Sequence, residues 1–511
     1  MSAPEAPDAA DLRADLAEAG YAVDALAERL GVEAEAALHR GDRVPALRAL
    51  RRRGADPCAL LARLFMLGDA LGDAELRIAL PRAAGAAAWT LGLVVRAGDG
   101  TVRAARDVRP YAFTDERGDG EWWIVSDPGE LTHPGPLPVD HVLGVGGASL
   151  TLAASVVPGE AGRALDLGSG CGIQALHLSR RAESVVATDL SARAVATTRL
   201  NALLNGVDSI EVREGDLFGP VAGERFDLVV SNPPFVITPR DPAVPAYAYR
   251  DGGRYADGIV EEVVAAAADV LAPGGLAQLL GNWEYRAGAD GMARLLSWVG
   301  PEVDAWVIER EALDPAQYAE TWIRDGGTGP GPEFERLVAA WLDDFAARDV
   351  RRIGLGLVVL RRREEGDAPP ALRRADRLSE PLGPGTPLGA HLATCLAAER
   401  WLAGVDDEEL AATRLVVAPD VTEERHYWPG SADPSAIALR QGGGFRRVVA
   451  ADTVVAGVVG ACDGELPVGV LLDATAGLLD ADPVAVREAA LPRIRELISD
   501  GMLLVAAPGD G

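Results

Sequence analysis

A chain of 511 residues exceeds one ordinary hydrophobic core and predicts about two to four domains; with 48% hydrophobic residues and no apolar run near the ~20 residues of a bilayer span, it reads as globular with no membrane partner. All 49 basic residues are arginine, which excludes lysine Schiff bases and the lysine-dependent phosphate loop, and a formal charge of −28 disfavours nonspecific adhesion to polyanions. Cys58, Cys171, Cys395 and Cys462 form no C-x-x-C pair and the acidic N-terminus lacks a signal pattern, so a reducing cytoplasm and no metal are expected.

Residues 1–95 read as a module of short amphipathic helices such as "VDALAERLG" and "VPALRALRRRG", joined by Gly, Asp and Pro. A strand-rich bridge, 96–139, carries "VRPYAFTD" and "GEWWIVSD" and ends in the Pro/Gly-rich "LTHPGPLPVDH". From Arg163 strands and helices alternate: "RALDLG", "IQALHLSRR", "SVVATDL", "SARAVATTRLNALLNG", "IEVREGD", "FDLVVSN", then a helix "IVEEVVAAAADVLAPGG" and a strand "LAQLLGNW". That alternation predicts an α/β domain with a parallel sheet covered on both faces, over 140–363. "VDAWVIER" and "RRIGLGLVVLRRR" complete it, separated by an insertion at 311–349 rich in aromatics, including Tyr318, Trp322, Phe334, Trp341 and Phe345. "RRREEGDAPPALRRADR" reads as a linker, and 364–511 as a C-terminal α+β, winged-helix-like module.

Three acids end successive strands of this domain. Asp166 precedes "GSGCG", in which Gly168, Gly170 and Gly172 permit a tight turn and close ligand approach. Asp189 ends the next strand, where its carboxylate could accept from a ribose diol, and Asp216 closes the third in "EGDLFG". Each alone also suits capping of a following helix. Together at the carboxyl edge of an open α/β sheet they favour a nucleoside ligand, and an acid beside the glycine turn favours a cationic one over a pyrophosphate. The fourth strand ends in "SNPPF". A planar amide or exocyclic amine has its lone pair delocalised; the Asn232 side-chain oxygen and the Pro233 carbonyl can each take one N–H and fix it. Pro233 and Pro234 stiffen the loop, and Phe235 offers a flat face for stacking. A Pro-Pro turn ending a strand is the plainer reading of the same residues.

"LDLGSGCG", "TDLS", "GDLF" and "NPPF", in this order and spacing, resemble class I S-adenosylmethionine-dependent methyltransferases of the amino-methylating branch, which includes release-factor glutamine, ribosomal RNA guanine and adenine-amino methyltransferases. The resemblance covers roughly 140–363 and implies a Rossmann-like seven-stranded core with S-adenosylmethionine as cofactor. It implies cofactor-binding roles for Asp166, Gly168, Gly170, Gly172, Asp189, Leu190, Asp216, Leu217 and Asn232, and catalytic roles for Asn232, Pro233, Pro234 and Phe235. Gly146, in "VLGVGGAS" (Val142–Ser149), corresponds to the segment that closes over the methionine end of the cofactor. Tyr249–Gly258 resembles the loop that shapes the acceptor pocket. His177 and His426 form no metal constellation and read as structural or surface residues.

The expected function is N-methylation of a planar nitrogen in a macromolecule. A protein glutamine suits the acidic charge and the N-terminal helical module. A nucleobase suits Phe235, where release-factor enzymes usually have Tyr, and the arginines at 351–363 and 373–377. The alternatives are a small-molecule tailoring methyltransferase, with 311–349 as its lid, and a non-catalytic S-adenosylmethionine-binding protein.

Overall fold

The strands of the α/β domain are β1 (Ala161–Leu167), β2 (Ala182–Asp189), β3 (Ile210–Glu214), β4 (Phe226–Ser231), β5 (Leu271–Arg286), β6 (Val303–Leu313) and β7 (Val350–Arg362). They come from a computed structural model that describes residues 6–129, 131–132, 137–242, 244–245, 250–378 and 386–506. Part of the Pro/Gly-rich connection, 133–136, lies outside the described residues. The chain divides into two units, Met1–Ala153 with Gly159–Arg362, and Ala154–Pro158 with Arg363–Gly511.

In the first unit the neighbour order is β3-β2-β1-β4-β5-β7-β6. Strands β1 to β5 pair in parallel, and β7 runs antiparallel to both β5 and β6. This is the α/β sheet expected from the alternating pattern, in the Rossmann-like form that the family resemblance implies. Strands buried on both faces need apolar residues on both, which explains why "ALDL" and "LVVS" read as near-continuous apolar runs. The strand order reverses beside β1, with β2 on one flank and β4 on the other. Such a reversal leaves a crevice at the carboxyl edge of the sheet.

Helices α1 (Ile173–Ser179), α2 (Ala192–Leu204), α3 (Gly258–Val270) and α4 (Gly291–Ser297) cover the sheet. On α3 the buried residues Ile259, Val260, Val263, Val264, Ala267 and Val270 recur at helical spacing and pack with Phe226, Val229 and Trp283. The "APGG" run, expected to finish this helix, lies inside β5 instead. Tertiary contact decides this: a Cβ at Gly275 would stand 2.8 Å from the Phe226 carbonyl, so only glycine allows β5 to approach β4 there.

The N-terminal helices share a core with the sheet domain. Leu12, Leu16, Tyr21, Leu50 and Phe65 are continuous with Val108 and Val125 of the bridge hairpin and with Leu200 and Leu204 of α2. The hairpin pairs Asp107–Asp115 with Gly118–Ser126. Two asparagines four residues apart, Asn201 on α2 and Asn205 capping its C-terminus, dock the hairpin's open edge. Asn201 Oδ1 and Asn205 Oδ1 accept from Val125 N and Trp123 N at 2.8 and 2.9 Å, and each side-chain amide donates back to the carbonyl of the same residue.

The insertion forms two helices, α5 (Pro315–Asp325) and α6 (Pro332–Ala347). In the second unit, Arg373–Arg377, the last part of the expected linker, is a strand. Arg374 is held there by Asp376, Glu399 and Asp500, an ion cluster that fixes the segment. The unit also has helices Gly389–Leu402, Thr453–Gly460, Val468–Leu478 and Pro483–Ser499, and two three-stranded sheets. Leu415, Val458, Leu472, Ile494 and Leu497 lie in its core. Among the described residues no helix is long and apolar enough to cross a membrane.

Candidate active site

Strand register brings the predicted residues together. Leu167 pairs with Thr188 on one side and with Ser231 on the other. Gly168, Asp189 and Asn232 therefore leave the sheet at one level, on adjacent strands about 4.8 Å apart. The glycine turn is built as its sequence requires: Gly168, Gly170 and Gly172 all have left-handed backbones, with φ of 79°, 55° and 81°. A Cβ at Gly168 or Gly170 would meet nothing within 4 Å, so their backbone borders open space that a ligand can fill. Gly172 differs, because a Cβ there would lie 2.8 Å from Thr198 Cγ2. Gly172→Ala is expected to cost about 1–3 kcal/mol of stability through backbone strain and this contact, readable as a lower midpoint in urea unfolding.

Asp166 is fully buried. Its Oδ2 accepts from Ala175 N at 2.9 Å, while Oδ1 has no partner. Burial pushes its carboxyl up to about 7; the Ala175 N–H opposes the shift and the Asp189 charge adds to it. A cationic group against Oδ1 would answer both the unmade hydrogen bond and the unfavourable charge. Asp189 joins the turn to α2: Oδ2 accepts from Gly170 N at 2.9 Å and Oδ1 from Ser191 N at 2.8 Å. Burial raises its pKa despite these N–H groups. Each oxygen retains a lone pair for a further donor. Beside it, Leu190 is 68% exposed and offers an apolar face.

Asp216 lies two residues beyond β3, and its carboxylate receives Arg254 Nη2 at 3.0 Å. Arg254, in the loop after "NPPF", also pairs with Glu262. Leu217 adopts φ 44° and packs on the core. Gly146 immediately precedes the helix Gly147–Ser155 and faces open space. Its segment is tethered at both ends: Val142 N donates to Asp127 Oδ2 at 2.9 Å, and Gln174 Nε2 donates to the Ser149 carbonyl at 2.9 Å. Burial works to raise Asp127, but hydrogen bonds from Arg193 and Val142 N and the charges of Arg106 and Arg193 hold it below the usual carboxylate range. His177 is structural, bonded to Tyr111 at 3.0 Å within an aromatic box, and burial lowers it to about 4.

On the β4 side, Asn232 Oδ1 is buried without a partner. The Pro233 carbonyl accepts from Phe235 N at 2.7 Å, which closes a tight turn and leaves one lone pair. The loop after the motif zips onto it: Val236 N donates to the Arg250 carbonyl and Gly252 N to the Pro234 carbonyl, at 2.8 and 3.0 Å. Tyr249, the first residue of the predicted acceptor loop, lies outside the described residues. Phe235 is half-buried and meets Trp322 of α5 edge-on, with ring centroids 6.3 Å apart. The insertion is packed core: Tyr318, Trp341 and Phe345 are buried among Val236, Ile237 and Val244. The contribution of α5 is the part of this site that residue-level motifs do not reveal; its trace is the spacing of Tyr318 and Trp322, one helical turn apart.

Residues 144–289 match the family model described as the methyltransferase small domain. This segment is a class I methyltransferase domain. On either side of it, residues 18–105 and 393–505 match domains of unknown function, DUF7059 and DUF7782. The release factor glutamine methyltransferase of Xylella fastidiosa (strain 9a5c) is 36% identical over 162 residues, which is 30% of this chain and 57% of that protein. Its counterpart in Deinococcus radiodurans is 40% identical over 129 residues, 23% of this chain and 44% of that protein. Ribosomal RNA small subunit methyltransferase C of Alcanivorax borkumensis is 32% identical over 126 residues, 25% of this chain and 34% of that protein. The chain thus covers between 34% and 57% of the length of these relatives.

Proposed function

We propose that the chain is an S-adenosylmethionine-dependent N-methyltransferase acting on a planar amino or amide nitrogen of a macromolecule. The observation that carries this reading is the pair of orphaned buried oxygens, Asp166 Oδ1 and Asn232 Oδ1, at the ends of adjacent strands β1 and β4. One suits a cationic donor, the other an N–H donor. S-adenosylmethionine supplies an electrophilic methyl group on its sulfonium. Asp166 would hold its ammonium group, Gly168 and Gly170 let the backbone approach it, and Asp189 would receive the ribose hydroxyls. Asn232 Oδ1 and the free lone pair of the Pro233 carbonyl would each accept one N–H of the acceptor. Phe235 would stack on its plane. These groups orient the nitrogen lone pair and favour its partial pyramidalisation, so catalysis is positioning with preorganised electrostatics.

A protein glutamine amide is the acceptor best supported. The charge of −28 opposes a polyanionic partner, and the two relatives aligned over 162 and 163 residues are named for glutamine. Several arginines expected to favour nucleic acid are used within the fold: Arg361 pairs with Asp304, Arg362 donates to the Ala268 and Leu271 carbonyls, and Arg374 sits in its ion cluster. A nucleobase is the second reading, supported by Phe235 and by the ribosomal RNA relative. Methyl-labelled S-adenosylmethionine is incubated with the protein and an extract of cells lacking it, followed by separate protease and nuclease digestion. Label released only by protease is expected. Label released only by nuclease moves the acceptor to nucleic acid, and label in free small molecules contradicts the macromolecular reading.

A further inference from the structure

Three residues on one face of α5, Tyr318, Trp322 and Asp325, contact the stretch that follows Asn232. Tyr318 is fully buried; its hydroxyl oxygen accepts from Ile237 N at 2.9 Å and from Asn282 Nδ2 at 2.7 Å. One turn later, the Trp322 carbonyl accepts from Arg250 Nη1 at 2.5 Å, and the Trp322 ring meets Phe235. Arg250 also reaches Asp325 at 3.1 Å, and its carbonyl receives Val236 N. Residues 318, 322 and 325 share a helical face by spacing, so the insertion grips both strands of the zipped acceptor loop. Tyr318 is the keystone, since its single oxygen links α5, the carboxyl half of β5 and the exit of "NPPF".

We infer that Tyr318 is a positioning residue for Asn232 and Phe235, and that the insertion sets the geometry of the acceptor site. The inference rests on the N-methyltransferase reading above. Without the hydroxyl, the Ile237 N–H and the Asn282 amide are left buried without this acceptor, and the loop can relax by a fraction of an ångström. Misplacement on that scale lowers a rate that depends on alignment while sparing a cofactor bound on β1 and β2.

The test compares the full-length wild type, Tyr318→Phe and the double variant Tyr318→Phe with Asn282→Leu. Three quantities are read: the initial rate of label transfer from saturating S-adenosylmethionine into extract lacking the protein, the Kd for S-adenosylmethionine, and the thermal midpoint. Tyr318→Phe is expected to lower the rate about tenfold to a hundredfold with an unchanged Kd. The double variant removes the orphaned Asn282 amide but not the Ile237 N–H, so it is expected to recover part of the midpoint and leave the rate low. A rate that recovers together with the midpoint, or an undiminished rate in Tyr318→Phe, overturns the positioning role alone. Absence of transfer by a wild type that binds S-adenosylmethionine overturns the reading of the site and this inference with it.

Discussion

Asn232→Ala is expected to slow methyl transfer about 10²–10³-fold with little change in S-adenosylmethionine affinity, the size of effect seen when one preorganised transition-state partner is removed. Asn232 follows β4, and its Oδ1 has no protein partner to lose, so truncation removes no internal hydrogen bond through that atom. The fold should survive, because Pro233, Pro234 and the backbone bonds to Arg250 and Gly252 still shape the loop. Steady-state rates alongside calorimetric cofactor binding separate the two quantities. A fall in affinity equal to the fall in rate would move Asn232 from the acceptor half to the donor half.

Asp166→Asn is expected to act in the opposite compartment, weakening S-adenosylmethionine binding about 10- to 100-fold. This is the scale of one charge-assisted hydrogen bond of about 1.5–3 kcal/mol. The same change should stabilise the cofactor-free protein. With a folded pKa near 7 against an ordinary 3.8, the Asp166 carboxyl favours the folded state fully only below the ordinary value, and that contribution disappears as pH rises through about 7. At pH 8 the cofactor-free wild type carries a buried carboxylate and the variant does not. Thermal midpoints measured without cofactor should therefore be higher for Asp166→Asn at pH 8, with the gap narrowing toward pH 5. Added S-adenosylmethionine should raise the wild-type midpoint more than that of the variant. A variant less stable than wild type at pH 8 would show that this carboxylate is not a strained ligand-binding group.

The features legible in the sequence are those fixed locally. Three glycines at alternate positions can hold the successive left-handed conformations of the turn, and a Pro-Pro pair stops β4 wherever it occurs. The alternating apolar runs place β1, β2 and β4, and the strand-order reversal then brings Asp166, Asp189 and Asn232 to one edge of the sheet. Features set by distant partners were hidden. Gly275 lies in a strand because β4 approaches it, while the local "APGG" signals a turn. Arg254 reaches Asp216 across 38 residues, and Tyr318 reaches Ile237 across 81, so neither contact has a periodic signature. Helix Gly389–Leu402 buries only Gly389, Leu392 and Cys395, too thin a stripe to stand out. The insertion's aromatics were visible, but lid and packed scaffold have the same composition; burial of Tyr318, Trp341 and Phe345 distinguishes them.

The most direct test of the central claim is the identity of the methylated atom. Product labelled from S-adenosylmethionine by the wild-type protein is hydrolysed without breaking N–CH₃ bonds and resolved by mass spectrometry. The label is predicted on the nitrogen of a planar amide or exocyclic amine, and absent from the Asn232→Ala reaction over the same interval. Label on oxygen or carbon, or equal incorporation by Asn232→Ala, would contradict it.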